Sequence, residues 1–205
     1  LLVLGDPGSG KTTLLKYYAM LCLKDQHERL GMETAILPMY LPLREVRTPQ
    51  GELPPLHKCL AKWTSERYLN IDATIFYGWL KERPTLVLLD GLDEISDLDK
   101  RQEICEWIDK AATGLPNGRF VVTSRWTGYR KADGIELEFE HSRADVRDFS
   151  TEQQKEFLEK WFVAAYLREP PVKSTAEPMW RSRQTRKALD RANAIVQFLG
   201  EEENR

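Results

Sequence analysis

No stretch of this sequence approaches the roughly 18 consecutive apolar residues that a membrane-spanning helix needs, and no secretory leader pattern opens it. A helical span of the bilayer is therefore excluded, and no membrane partner is expected. Cysteine is scarce. Cys22, Cys59 and Cys105 are odd in number, widely spaced and set among apolar neighbours, which excludes a fully paired disulfide framework and any metal-ligand spacing built on them. Buried thiols in a reducing cytoplasm are the expectation. The three histidines, His27, His57 and His141, share neither metal spacing nor a nucleophile partner and read as ordinary surface or packing residues. An excess of one charge is also missing: 30 basic against 32 acidic side chains leave −2, so the whole-chain field argues neither for nor against nucleic acid. Internal repeats and low-complexity tracts are absent.

What remains is a chain of 205 residues, 41% hydrophobic and 10% aromatic, enough for one large domain or one domain with a small appendage. Apolar runs of strand length recur at 1–4, 35–41, 85–90, 119–124 and 135–139, mostly separated by helix-period segments. That alternation marks βαβ units around a parallel sheet. Leu14, Leu15, Tyr18, Ala19 and Cys22 form one face of a first helix, and Leu56, Leu60 and Trp63 lie on a second. A third carries Ile104, Ile108 and Ala111 behind Asp97 or Asp99 as N-cap. Pro38 and Pro42 suit an edge strand or an irregular end. Trp63, Trp107 and Trp161 sit at helical spacing with other apolar residues and read as core.

Beyond residue 140 the pattern becomes helical. Phe157, Leu158, Trp161, Phe162 and Ala165 form a stripe behind cap candidates at 150–152. The three prolines within 168–178 suggest an exposed loop, and Ala188, Leu189, Ala192, Ile195, Val196 and Leu199 line a last helix. The expected division is 1–148, an α/β core, and 149–205, the start of a helical subdomain. Because Leu1 already lies in the first strand and GEEENR trails off a helix, a piece of a longer protein is expected.

The chemistry is concentrated in LLVLGDPGSGKTT at 1–13. The spacing Gly5-x4-Gly10-Lys11-Thr12 is a P-loop: its glycines let the backbone curl so that successive N–H groups point at phosphate oxygens, and it ends at a helix N-terminus that favours anions. Lys11 is placed to reach the β/γ-phosphates, and the Thr12 hydroxyl to hold Mg²⁺. A nucleoside triphosphate is therefore the expected ligand, bound by Gly5, Asp6, Pro7, Gly8, Ser9, Gly10, Lys11, Thr12 and Thr13.

TLVLLDGLDEI at 85–95 brings Asp90 to the carboxyl edge of the sheet, where it can share the Mg²⁺. Gly91 leaves room beside the phosphates. Asp93 and Glu94 either orient the attacking water or cap the next helix. In RFVVTSR at 119–125, Arg125 either contacts the γ-phosphate or forms a salt bridge with one of these carboxylates. No Asn-Lys-x-Asp guanine motif is present. The basic residues Arg181, Arg183, Arg186, Lys187 and Arg191 share a helix with an apolar face and read as a solvated surface, with contact to a neighbouring subunit as the alternative.

With these elements in this order the chain resembles the NACHT family of signal-transduction NTPases, members of the STAND class related to AAA+ ATPases. The resemblance rests on GDPGSGKTTLL at 5–15, LPLREV at 41–46, LVLLDGLDEI at 86–95, FVVTSR at 120–125 and the pair Gly128-Tyr129, and covers roughly 1–165. Ordinary AAA+ proteins place Glu directly after the Asp, where this chain has Gly91. The resemblance implies a three-layer α/β P-loop NTPase fold with a five-stranded parallel sheet in the order 5-1-4-3-2, followed by a small helical subdomain. It implies Lys11 as stabiliser of phosphate charge, Thr12 and Asp90 as Mg²⁺ ligands, Asp93 or Glu94 as the water-orienting acid, and Arg125 as sensor.

The activity it implies is a slow ATPase, with GTP as the other candidate nucleotide, acting as a cytoplasmic switch in innate immunity or antiphage defence. Self-association and flanking sensor and effector domains come with that reading. The rivals are an AAA+-type motor, a nucleotide-locked scaffold without turnover and a nucleic-acid-binding ATPase using the basic helix. The last would show a steep salt dependence.

Overall fold

The computed structural model describes residues 1–48, 50–168 and 177–202, with side chains of the last helix from 178 to 200. Five strands form one sheet: β1 (Leu2–Leu4), β2 (Leu37–Pro42), β3 (Thr85–Asp90), β4 (Gly118–Ser124) and β5 (Arg143–Asp145). All pairings are parallel and the spatial order is β2-β3-β4-β1-β5, the order implied by the family resemblance. Parallel strands need crossovers, which cover the sheet with helices and make its central strands apolar on both faces. β3 shows this directly, with all six residues buried.

The alternation of side chains along each strand divides the core in two. Val3, Leu86, Leu88 and Val121 meet Leu15 and the apolar face of α1 (Lys11–Leu23) on one side. Leu2, Leu4, Val87, Leu89, Phe120 and Val122 meet α2 (Leu56–Ser65), α3 (Ala73–Glu82) and α4 (Leu98–Gly114) on the other. The result is three layers, helix on sheet on helix. Asp97 caps α4 by accepting from the Lys100 N–H at 3.0 Å, which removes Asp93 and Glu94 from any capping role. β2, with its two prolines, pairs only with β3 and lies at the sheet edge, where a missing N–H is tolerated. The sequence reading did not single out α3, which Asp72 caps through the Thr74 N–H at 2.8 Å.

The fifth strand differs from expectation. Residues 135–139 alternate as a strand would, and Ile135 and Leu137 are buried in the core, yet this segment joins no ladder. Side chains satisfy its main chain instead: the Leu137 N–H donates to the Tyr129 hydroxyl, and the Glu138 and Phe139 N–H groups to the Asp109 carboxylate. The edge position beside β1 goes to the short, exposed Arg143–Asp145.

The chain divides into two compact units, Leu1–Arg147 and Asp148–Arg205. In the second, α5 (Thr151–Tyr166) opens on a capping box between Ser150 and Gln153 and packs on α6 (Glu177–Glu202). α5 has no fully buried residue, and Trp161 is 54% exposed rather than core, because a pair of helices shares one seam and cannot enclose so large a ring. On α6, Ala188 and Ala192 are fully buried and the five basic residues are exposed. Most of the expected loop at 168–178, namely 169–176, lies outside the described residues. No helix among the described residues is long and apolar enough to cross a membrane.

Candidate functional site

β1 runs directly into the glycine-rich turn, and α1 starts at Lys11 with Gly10 as its cap residue at φ +88°, a left-handed conformation that L side chains disfavour. Lys11 folds back over this turn: its Nζ donates to the Gly5 and Asp6 carbonyls at 2.9 and 2.8 Å and lies 3.4 Å from Ser9 Oγ. The ammonium is thus held by two main-chain carbonyls and the Ser9 hydroxyl at the cavity. That cavity has a volume of about 310 Å³ and is lined by Pro7, Gly8, Gly10, Lys11, Thr12 and Thr13 from the turn and α1, by Asp90, Gly91, Asp93 and Glu94 from the end of β3, and by Thr123 and Arg125 from the end of β4. Gly5, Asp6 and Ser9 do not line it; they hold the turn and the lysine. A larger concavity of about 830 Å³ at the opposite, amino end of the sheet gathers none of the phosphate-loop residues 5–13, nor Asp90, Asp93, Glu94 or Arg125.

Asp90 is 7% exposed, and both carboxylate oxygens are engaged. Oδ1 accepts from the Thr123 hydroxyl at 2.7 Å and Oδ2 from the Tyr40 hydroxyl at 2.8 Å, while Thr123 Oγ1 accepts from the Gly91 N–H at 2.9 Å. Burial first, then the hydrogen bond to Asp90, push the Tyr40 phenol above its ordinary range, so it remains a donor. Sequence reasoning gave Tyr40 and Thr123 no role. The available signal for Thr123 was a hydroxyl in the otherwise apolar end of β4; Tyr40 carried none, because its partner lies on another strand.

The two following acids part company. Asp93 is only 10% exposed in its side chain and takes the Arg125 N–H on Oδ1 and the Arg125 guanidinium on Oδ2, both at 2.9 Å. Arg125 thus makes the salt bridge expected as one of its two roles, and it also lines the cavity. Glu94, 39% exposed, pairs with Arg44 at 2.8 Å. The buried Arg101 ties the surrounding turns together, donating to the carbonyls of Ile95 at 2.9 Å and Gly128 at 3.2 Å. Arg101 was not anticipated either. Gly91 lines the cavity and has a second reason to be glycine: its φ is +80°, and a Cβ there would lie 2.9 Å from Glu94 Cδ.

The Thr12 hydroxyl and the Asp90 carboxylate, facing one cavity, are hard oxygen donors of the kind Mg²⁺ accepts while keeping several waters. No group of three or more His, Cys, Asp or Glu side chains that could hold a metal occurs among the described residues. This donor set therefore fits a cation that arrives with a phosphate ligand rather than one caged by protein.

Comparison with known proteins adds to this geometry. The profile of the NACHT domain matches residues 1–165. Two curated relatives from Arabidopsis thaliana, disease resistance protein RPS4 and inactive disease resistance protein RPS4, are each 28% identical over 213 residues, a match covering 97% of this chain and 16% of theirs. The chain thus spans about a sixth of their length. Among solved structures, the ORC1 protein of Aeropyrum pernix in complex with DNA aligns over 100% of this chain and 55% of that one at 16% identity and a TM-score of 0.48. The Walker-type ATPase PABY2304 of Pyrococcus abyssi aligns over 100% of this chain and 70% of that one at 16% identity and a TM-score of 0.49.

Proposed function

Because this chain belongs to the NACHT family, we propose that it binds and slowly hydrolyses a nucleoside triphosphate, ATP first and GTP second, as the switch of a larger signalling protein. The observation that carries the reading is the convergence of the P-loop, the end of β3 and the end of β4 on one cavity. On arrival of the nucleotide, Lys11 Nζ exchanges its main-chain carbonyls for phosphate oxygens, and the backbone N–H groups of Gly8 and of 10–13 cradle the phosphates. Thr12 and Asp90 would hold the nucleotide's Mg²⁺, which would supply positive charge to offset that of the phosphates. Glu94, the more exposed acid, orients the attacking water once it leaves Arg44, and Arg125 faces the γ-phosphate side while Asp93 holds its guanidinium.

In this reading residues 1–148 form the nucleotide core and 149–205 begin the helical subdomain, in a cytoplasmic protein. Bound triphosphate favours self-association through the NTPase domain, with sensor and effector modules flanking it. The relatives' names, disease resistance proteins, support a place in innate immunity, with antiphage defence as the alternative setting. A scaffold that binds nucleotide without turnover is the second reading, favoured by the pairing of both acids with arginines. Gly91 after Asp90 speaks against the motor.

Titration of Mg·ATP and Mg·GTP into the chain, with phosphate release followed in parallel, tests the switch. Saturable binding weakened at least about tenfold by Lys11→Ala, with slow turnover, is expected. Equal behaviour of the two proteins removes the P-loop assignment. Binding without any phosphate release selects the scaffold, and rapid turnover selects the motor.

A further inference from the structure

We propose that Tyr40 is a positioning residue for Asp90, fixing its carboxylate in the orientation that receives the divalent cation of the nucleotide. This rests on the reading of the cavity as a Mg²⁺-nucleotide site. β2 and β3 pair in register with Pro42 opposite Asp90, so Tyr40 sits two residues short of the sheet's carboxyl edge, on the strand next to the carboxylate. On the other side of β3, Leu89 pairs with Val122 of β4, which places Thr123 beside Asp90. The two hydroxyls thus grip the carboxylate from opposite strands, Tyr40 on Oδ2 at 2.8 Å and Thr123 on Oδ1 at 2.7 Å.

A carboxylate held through one oxygen can still swing about its broad, roughly two-fold terminal torsion. Held through both, it cannot turn without breaking a hydrogen bond, and each oxygen keeps a further lone pair for a ligand. The Tyr40 side chain does not line the cavity, so it acts through Asp90 and not on the nucleotide.

Tyr40 is itself held in place. Its ring meets Trp63 of α2 edge-on, with centroids 5.7 Å apart and planes at 63°. The Arg67 guanidinium lies 4.2 Å from the Trp63 ring centroid, donates to the Trp63 carbonyl at 3.0 Å and pairs with Glu45 at 3.2 Å. Glu45 follows Arg44, the partner of Glu94. The end of α2 therefore braces, through β2 and the turn after it, the residues that hold both Asp90 and Glu94. A tyrosine kept only to fill space would need the ring and not the hydroxyl.

Tyr40→Phe separates those two roles, since it keeps the ring against Trp63. The affinity of a fluorescent ATP analogue is to be measured in EDTA and across a Mg²⁺ series, for the wild-type chain and for Tyr40→Phe, each also carrying Asp90→Asn. The expected result is an unchanged affinity in EDTA and a Mg²⁺ concentration for half-maximal effect raised about tenfold, the size of one lost hydrogen bond to a charged group. In the Asp90→Asn background Tyr40→Phe should add nothing. An unchanged Mg²⁺ response overturns the proposal, as does equal weakening with and without Mg²⁺, which is what a structural role produces. A wild-type chain whose affinity ignores Mg²⁺ overturns the reading of the site, and this proposal with it.

Discussion

Asp93 and Glu94 are neighbours in sequence but meet different surroundings. Asp93 is nearly buried and has both oxygens occupied by Arg125, so it serves to hold the turn after β3 against the end of β4. Glu94 meets Arg44 in an exposed pair, of the kind worth at most about 1 kcal/mol, and can leave it readily. Substituting each by its amide should therefore act differently. Glu94→Gln is expected to keep nucleotide affinity within about threefold while phosphate release falls at least about 100-fold, the usual scale of a lost general base. Asp93→Asn is expected to lower folding stability by about 1–3 kcal/mol, because the Arg125 guanidinium loses a charged acceptor. Denaturant titration and a phosphate-release assay on both variants check this; a stability loss confined to Glu94→Gln would reverse the assignment.

At the scale of elements, the site depends on how two turns pack. Gly128 lies in the turn after β4, where a Cβ would fall 2.2 Å from Asp93 Cβ and 2.8 Å from Asp93 Cα. The second of these is backbone and cannot rotate away. Gly128→Ala should force the turns apart, strain the Arg101 bonds to Ile95 and Gly128, and cost about 2–3 kcal/mol, the upper range for overpacking. A thermal melt and a nucleotide titration should both register the change; an unaltered melt would show that the turns are not locked together. The elements also show where sequence reading succeeds. β3 and β4 stood out as apolar runs because they are buried on both faces, whereas β5 is exposed, polar and three residues long, and offers no such signal. Residues 135–139 have a strand's alternation because Ile135 and Leu137 fill the core, but alternation records only which side chains point inward. Hydrogen bonding from Tyr129 and Asp109 decides that the segment is not a strand.

Across the whole molecule, the scarcity of cysteine has a thermodynamic consequence. Burial pushes the Cys59 thiol up to about 11 and the Cys105 thiol up to about 12, from an ordinary value of 9.0. Below pH 9 both thiols are protonated whether the chain is folded or not, and their contribution is fully present. Above it the unfolded chain releases these protons while the folded chain retains them, so stability falls as pH rises, by about 1.4 kcal/mol per pH unit for each thiol, until the folded values are reached. Urea titrations between about pH 8 and 10.5 should show this decline, and the double variant Cys59→Ala/Cys105→Ala should show a shallower one. Equal slopes would mean that the thiols titrate alike in both states.

Whatever is local could be read from the chain alone. The P-loop is nine contiguous residues, Gly5–Thr13, whose glycines and following helix set the curl of the backbone without help from the rest of the chain. The parallel α/β class follows from apolar runs that alternate with helical periods. Which side chains meet at the end of β3 follows from the assembled sheet. Because the sheet order places β3 between β2 and β4, Asp90 acquires Tyr40 from one neighbour and Thr123 from the other, residues 50 and 33 positions away. The same crossing gives Glu94 its Arg44 and Asp93 its Arg125. Such partners leave no periodic trace, since a hydrogen bond between strands depends on strand order and register, and those are settled only when the whole sheet assembles around its core.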